Sequence, residues 1–286
     1  MSYSFDSIRA KIKNEVAKTG IKADVLYIRY LSERFICRIA NSAHKDSVII
    51  KGGMLISAIV GVNMRSTRDL DATIIGAALT KEDFENIVKD IILVDLQDNI
   101  KFEFIKSEEI LVDNTYPCQK IHLRAYFGTM KMKLEIDMTT GDIITPKEVD
   151  FGFPTLFGDD KIPILAYNIE TILAEKITAI LDLHIYSTRP KDFYDMYLFA
   201  RSFEGQIDKT TLKTAVNNTL TRKHKEGLLQ RAVDIMGKVI ASEDIKAHWR
   251  KYQQEYIYAK DVEFEQVIIA LGKIFSYLDI EIIPSV

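Results

Sequence analysis

Asp69 and Asp71 stand two apart in Arg65-Ser66-Thr67-Arg68-Asp69-Leu70-Asp71-Ala72-Thr73. On a β-strand that spacing turns both carboxylates to one face while Leu70 packs behind them. Two clustered oxygen ligands suit Mg2+, which takes one or two protein carboxylates, keeps several waters and fills its shell with nucleotide phosphates. Upstream, Lys51-Gly52-Gly53 offers those phosphates a seat. Without Cβ atoms the glycines turn sharply and let backbone N–H groups approach a triphosphate, especially if a helix begins near Met54. Singly, Gly-Gly is an ordinary turn and Asp-x-Asp a solvated strand end. Their order, strand, glycines, apolar helix and acidic strand, points to phosphoryl-transfer chemistry on an NTP.

That chemistry benefits from further groups. In the alternating segment 132–137, Lys133, Glu135 and Asp137 share one face opposite Met132, Leu134 and Ile136. A third carboxylate there can hold a second ion, making two Mg2+ ions possible, and can polarise the attacking hydroxyl. Asp137 is the choice nearest the strand end, with Glu135 as its substitute; the plain alternative is a water-facing sheet surface. Lys176 lies in the apolar helical segment Ala174-Glu175-Lys176, and Arg189-Pro190-Lys191-Asp192-Phe193-Tyr194-Asp195 opens the next helix. A lysine there can neutralise charge on departing pyrophosphate, with Asp192 or Asp195 orienting it, and an interhelix salt bridge is the competing reading. Arg65 and Arg68 flank the acids and carry guanidinium forks suited to phosphate, with Arg68 nearer in sequence.

These groups need elements to position them. Amphipathic helices are expected over 7–18 and 23–43, strands over 47–50 and 70–75 with a short helix 54–60 between them, and a helix over 82–92 capped by Thr80. Strands over 102–105, 120–126 and 132–137 alternate apolar with polar residues. Pro146, Gly152, Pro154, Gly158 and Pro163 then punctuate the chain. Helical periodicity follows over 169–183, 189–202, 209–218, 222–236, 242–259 and 262–278. The expected fold is α+β: a mixed-sheet domain over 1–160 with bracing helices, and an α-helical bundle over 161–286 that contributes Lys176 and Asp195 to the site.

At 286 residues and 47% hydrophobic, the chain is long enough for one large domain or two modest ones. A net charge of −3 gives no global pull on nucleic acid, so a polynucleotide would need a local patch, for which Arg189, Lys191, Arg222, Lys223, Lys225, Arg231, Arg250 and Lys251 are candidates, with solvated helix faces as the plain alternative. Cys37 and Cys118 lack ligand spacing, so neither a disulfide framework nor a zinc site is supported, and both read as buried small hydrophobes. Residues 1–6 lack a secretory pattern and no apolar run reaches membrane-spanning length, so a cytoplasmic location without a membrane partner is expected.

The ordered series of Lys51-Gly52-Gly53, Arg65 to Asp71, Leu134-Glu135-Ile136-Asp137, Ala174-Glu175-Lys176 and Arg189 to Asp195 resembles the AbiEii/AbiGii toxin family of nucleotidyltransferases. The resemblance implies the nucleotidyltransferase fold. It also implies Gly52 and Gly53 as nucleotide-loop residues, Asp69 and Asp71 as metal ligands, Lys176 on the triphosphate and Asp195 as the acid of the last motif. By the same resemblance the substrate is an NTP, with GTP and CTP among the candidates, the acceptor is the tRNA 3′ end, and a cognate antitoxin is the partner. Gly53 stands where many nucleotidyltransferases have serine, and the interval from Gly53 to Asp69 is longer than in many of them. A small-molecule, antibiotic-type nucleotidyltransferase and a non-catalytic nucleotide-binding module are the alternatives to an RNA-modifying toxin.

Overall fold

The computed structural model of the chain describes residues 4–76, 79–110 and 118–282, so the opening stretch 1–6 falls partly outside them. Two compact units emerge, Met1–Asp142 with Glu148–Tyr167, and Ile143–Lys147 with Asn168–Val286.

The first unit opens with α1 (Phe5–Thr19) and α2 (Ala23–Ala40). Gly20 closes α1 in the left-handed region at φ 73°, where a residue without Cβ is unstrained. There follow β1 (Val48–Lys51), α3 (Gly52–Val60), β2 (Leu70–Ile74), α4 (Lys81–Ile92), β3 (Ile100–Ile110), β4 (Cys118–Phe127), β5 (Met130–Thr140), β6 (Val149–Pro154) and β7 (Lys161–Ala166). Thr80 and Asp83 exchange side chain to backbone hydrogen bonds in a capping box that starts α4. Among the described residues the strands form one seven-stranded mixed sheet in the order β3-β4-β5-β2-β1-β7-β6.

Alternation decides which face is covered. Ile121, Leu123 and Ala125 of β4, Leu134, Ile136 and Met138 of β5, and Leu70 and Ala72 of β2 are buried, and helices α2 and α4 pack on the sheet. The intervening Lys120, His122, Arg124, Lys133, Glu135, Asp137 and Asp71 keep partial or full exposure on the other side.

The segment over 149–166, for which the Pro and Gly punctuation suggested no strand, forms the antiparallel hairpin β6–β7. Val149, Phe151 and Phe153 do alternate with polar or small residues, but Pro154 and Pro163 hide the pattern. β7 pairs with β1 only at Leu165 and Ala166, so Pro163 has just β6 beside it, an edge-like position where a missing N–H is tolerated. The domain boundary expected at 160 therefore falls ahead of a strand that belongs to the sheet.

Helix α2 buries a charged cluster. Arg38 donates to both carboxylate oxygens of Asp98, at 3.0 and 2.8 Å, and to the Ile100 carbonyl at 2.7 Å, while Arg34 reaches Asp98 at 3.3 Å. The Arg38 and Asp98 side chains are 3% and 5% exposed. Removing one member leaves an uncompensated buried charge, so Asp98→Ala is expected to destabilise this unit by about 3–5 kcal/mol in chemical denaturation.

The second unit holds α5 (Ile169–Leu183), α6 (Pro190–Ser202), α7 (Lys209–Arg222), α8 (Ala232–Ala241), α9 (Glu243–Glu255) and α10 (Phe264–Ser276). Asn168 caps α5 through Thr171 N–H at 2.8 Å, and its amide donates to the carbonyls of Thr145 and Lys147 at 2.8 and 2.9 Å, which ties 143–147 to the helices. The single helix expected over 222–236 is broken: His224 takes φ 54°, a short 3-10 turn spans Glu226–Leu228, and α8 starts at Ala232. Among the described residues no helix is long and apolar enough to cross a membrane.

Candidate active site

Helix α3 begins directly at Gly52, two residues earlier than expected, with Lys51 as its N-cap. Gly52 lies at φ 65°, and a Cβ built on it would sit 2.0 Å from Asp71 Oδ2, 2.5 Å from its Cγ and 2.7 Å from its Cβ. The first role of this glycine is thus to admit the Asp71 side chain against the helix start. Gly53 N–H donates to Asp71 Oδ2 at 3.2 Å, placing an anion at the positive end of the α3 dipole. At Gly53 a Cβ would meet Thr67 Oγ1 at 3.1 Å and Arg65 Nη2 at 3.5 Å, so the serine common elsewhere would need the 65–67 loop to give way slightly.

The sheet register aligns charges that are far apart in sequence. Lys51 pairs with Asp71 across β1–β2, Asp71 with Asp137 across the parallel β2–β5 ladder, and Asp137 with Lys120 across β4–β5. Directly paired residues point to the same face, so a row Lys51, Asp71, Asp137, Lys120 crosses four strands. Asp69 precedes β2 and is half-buried.

Asp137 is engaged by Lys120, whose Nζ lies 2.6 Å from Oδ1, with both side chains near 30% exposure at 27% and 30%. Burial alone would lower the Lys120 pKa, but the Asp137 hydrogen bond and the charges of Asp137, Glu135 and Asp69 outweigh it and raise the pKa. Glu135, the substitute third acid, faces His122, at 3.4 Å from Nδ1, whose Nε2 in turn lies 2.9 Å from Glu108.

Lys51, expected on the nucleotide, has structural partners. Its Nζ donates to Thr139 Oγ1 at 2.7 Å and to Asp142, whose carboxylate also accepts from Thr139 Oγ1 and Tyr167 Oη, each at 2.7 Å. The Asp142 side chain is only 3% exposed. This network anchors the strand end that feeds the glycine turn.

The two arginines also part company. Arg68, expected nearer the acids, extends to Asp24 of α2 at 2.5 Å and is half-exposed. Arg65 is 3% exposed and packs beside Gly53, donating to the Ser66 carbonyl at 2.5 Å.

In the helical unit, Lys176 of α5 lies 2.5 Å from Asp192 Oδ1 and 2.9 Å from Asp195 Oδ2 of α6, so both candidate orienting acids hold it. Arg189 Nε reaches the other Asp192 oxygen at 3.0 Å. Of the proposed basic patch, Lys225 pairs with Asp182 and Lys223 lies 3.8 Å from Glu175, so part of its charge is offset locally. Burial pushes the thiols of Cys37 and Cys118 up to about 11, which leaves neither as a ready nucleophile.

Among the described residues no group of three or more His, Cys, Asp or Glu side chains is gathered around a metal-sized space. Asp71, a carboxylate at the N-terminus of α3, offers the kind of oxygen donor that suits an Mg2+ ion sharing its shell with nucleotide phosphates. Sequence reasoning missed Lys120, Thr139, Asp142 and Tyr167. Lys120 sits in an alternating strand where a lysine reads as solvated surface, and only strand register reveals its partner.

The profile described as "Nucleotidyl transferase AbiEii toxin, Type IV TA system" matches residues 34–270. A candidate nucleotidyltransferase from H. pylori superposes with a TM-score of 0.55 at 12% identity, covering 91% of this chain and 96% of that one. JHP933 from Helicobacter pylori does so with a TM-score of 0.54 at 13% identity, covering 91% and 94%. At such identities the likeness concerns the fold. No curated protein matches the chain significantly.

Proposed function

The chain belongs to the AbiEii family of nucleotidyltransferase toxins of type IV toxin–antitoxin systems, and from that premise we propose that it moves an NMP unit from an NTP to a hydroxyl at the tRNA 3′ end with Mg2+. The family itself implies a nucleotide substrate and an antitoxin partner. The observation that best supports a working site is the glycine turn closing on Asp71, with Asp137 in register on the next strand.

Asp69 and Asp71 would hold Mg2+, which supplies positive charge to the triphosphate. The acceptor oxygen attacks the α-phosphorus in line, a new O–P bond forms, and the bond to the β-phosphate oxygen breaks to release pyrophosphate. Asp137 accepts the hydrogen bond of the attacking hydroxyl and takes up its proton. The Gly52-Gly53 backbone and buried Arg65 line the phosphate side. Within the helical unit, Asp192 and Asp195 hold Lys176 and restrict the rotamers of its flexible ammonium group.

The test is incubation of each labelled NTP and Mg2+ with total tRNA and, in parallel, with an aminoglycoside. A labelled tRNA band with one or two of the nucleotides is the expected result. Label on an aminoglycoside-type small molecule instead of RNA would replace tRNA as the acceptor. Tight NTP binding without pyrophosphate release would overturn transfer altogether.

A further inference from the structure

We propose that Lys120 supplies, as a built-in cation, the charge a second divalent ion would bring, so that this acid row takes up one metal ion. The inference rests on the reading that Asp69 and Asp71 hold a divalent cation. Asp71 and Asp137 are direct partners across β2–β5 and so present two carboxylates side by side on one face, an arrangement that is repulsive unless a cation intervenes. On the far side of Asp137, Lys120 is its direct partner across β4–β5, and its Nζ lies 2.6 Å from Asp137 Oδ1. That distance is a charge-assisted hydrogen bond.

An ion at Asp137 would have to displace this ammonium or sit within a few ångströms of it, where like charges repel. Lysine suits the role because its ammonium is a compact point charge on a flexible stem. A purely structural Lys120–Asp137 pair would leave metal uptake unchanged when the lysine is removed. Asp69 and Asp71 then bind the single ion, and Asp137 stays free of metal to meet the acceptor hydroxyl.

Bound Mn2+ is counted by electron paramagnetic resonance on the full chain, with protein in excess over a non-hydrolysable NTP so that all nucleotide is bound. The expected count per bound nucleotide is one for the unaltered chain and two for Lys120→Met, with Lys120→Gln as a second neutral variant and Lys120→Arg remaining at one. The added ion is expected to vanish in Lys120→Met with Asp137→Asn, while Asp137→Asn alone keeps a single ion. Two ions in the unaltered chain, or one in both neutral variants, would overturn the lysine's role. If those ions still depend on Asp71, the metal reading above survives; if the unaltered chain binds none, both fall.

Discussion

Asp71→Asn is expected to lower nucleotide transfer by about 10³-fold or more, about 4 kcal/mol of barrier, while the chain melts at or above the unaltered temperature. The two halves of that result have one cause. Asp71 faces Asp137 across the ladder and lies half-buried outside the apolar layer, so its charge serves the site at some cost to the sheet. Asparagine keeps an oxygen for Gly53 N–H, which preserves the local fold and isolates the loss of charge. Labelled-nucleotide incorporation and a thermal melt on the same preparation check both parts. Transfer within tenfold of the unaltered chain would remove Asp71 from the mechanism.

Gly52→Ala is expected to abolish transfer to a similar degree and to cost about 2–4 kcal/mol of stability, unlike the first variant. The left-handed φ of 65° accounts for part of the cost, and the collision of the new Cβ with the Asp71 carboxylate at 2.0 Å for the rest. Backbone and carboxylate cannot both stay, so the substitution moves the metal-facing group itself. Gly53→Ala serves as the control. Its Cβ meets only Thr67 Oγ1 closely, at 3.1 Å, and a hydroxyl-bearing side chain on a loop can shift, so most activity is expected to remain. Equal activity for Gly52→Ala and the unaltered chain would show that Asp71 does not need its present position.

Much of the frame was readable from local pattern. Period-two alternation located β4 and β5 and put Asp137 on the polar face, Thr80 announced the start of α4, and the spacing of Asp69 and Asp71 made them the leading candidates. The α+β class and the helical C-terminal part also followed from periodicity, because burying one face of an element writes its repeat into the residues. The β6–β7 hairpin escaped because Pro154 at the end of β6 and Pro163 within β7 carry a stronger local signal than three alternating aromatic and aliphatic residues.

Lys51, Lys120 and the arginines were of another kind. Nothing near Lys51 announces Thr139 or Asp142, and nothing near Arg68 announces Asp24. Which strand lies beside which, and in what register, is chosen by contacts between residues tens of positions apart, and local propensity carries no record of that choice. Residue types and spacing were enough to nominate Asp69, Asp71, Asp137 and the glycine turn as chemical groups. Folding then paired Asp137 with an internal cation and pressed Gly52 onto Asp71, since side chains acquire partners only when the strands carrying them are laid side by side.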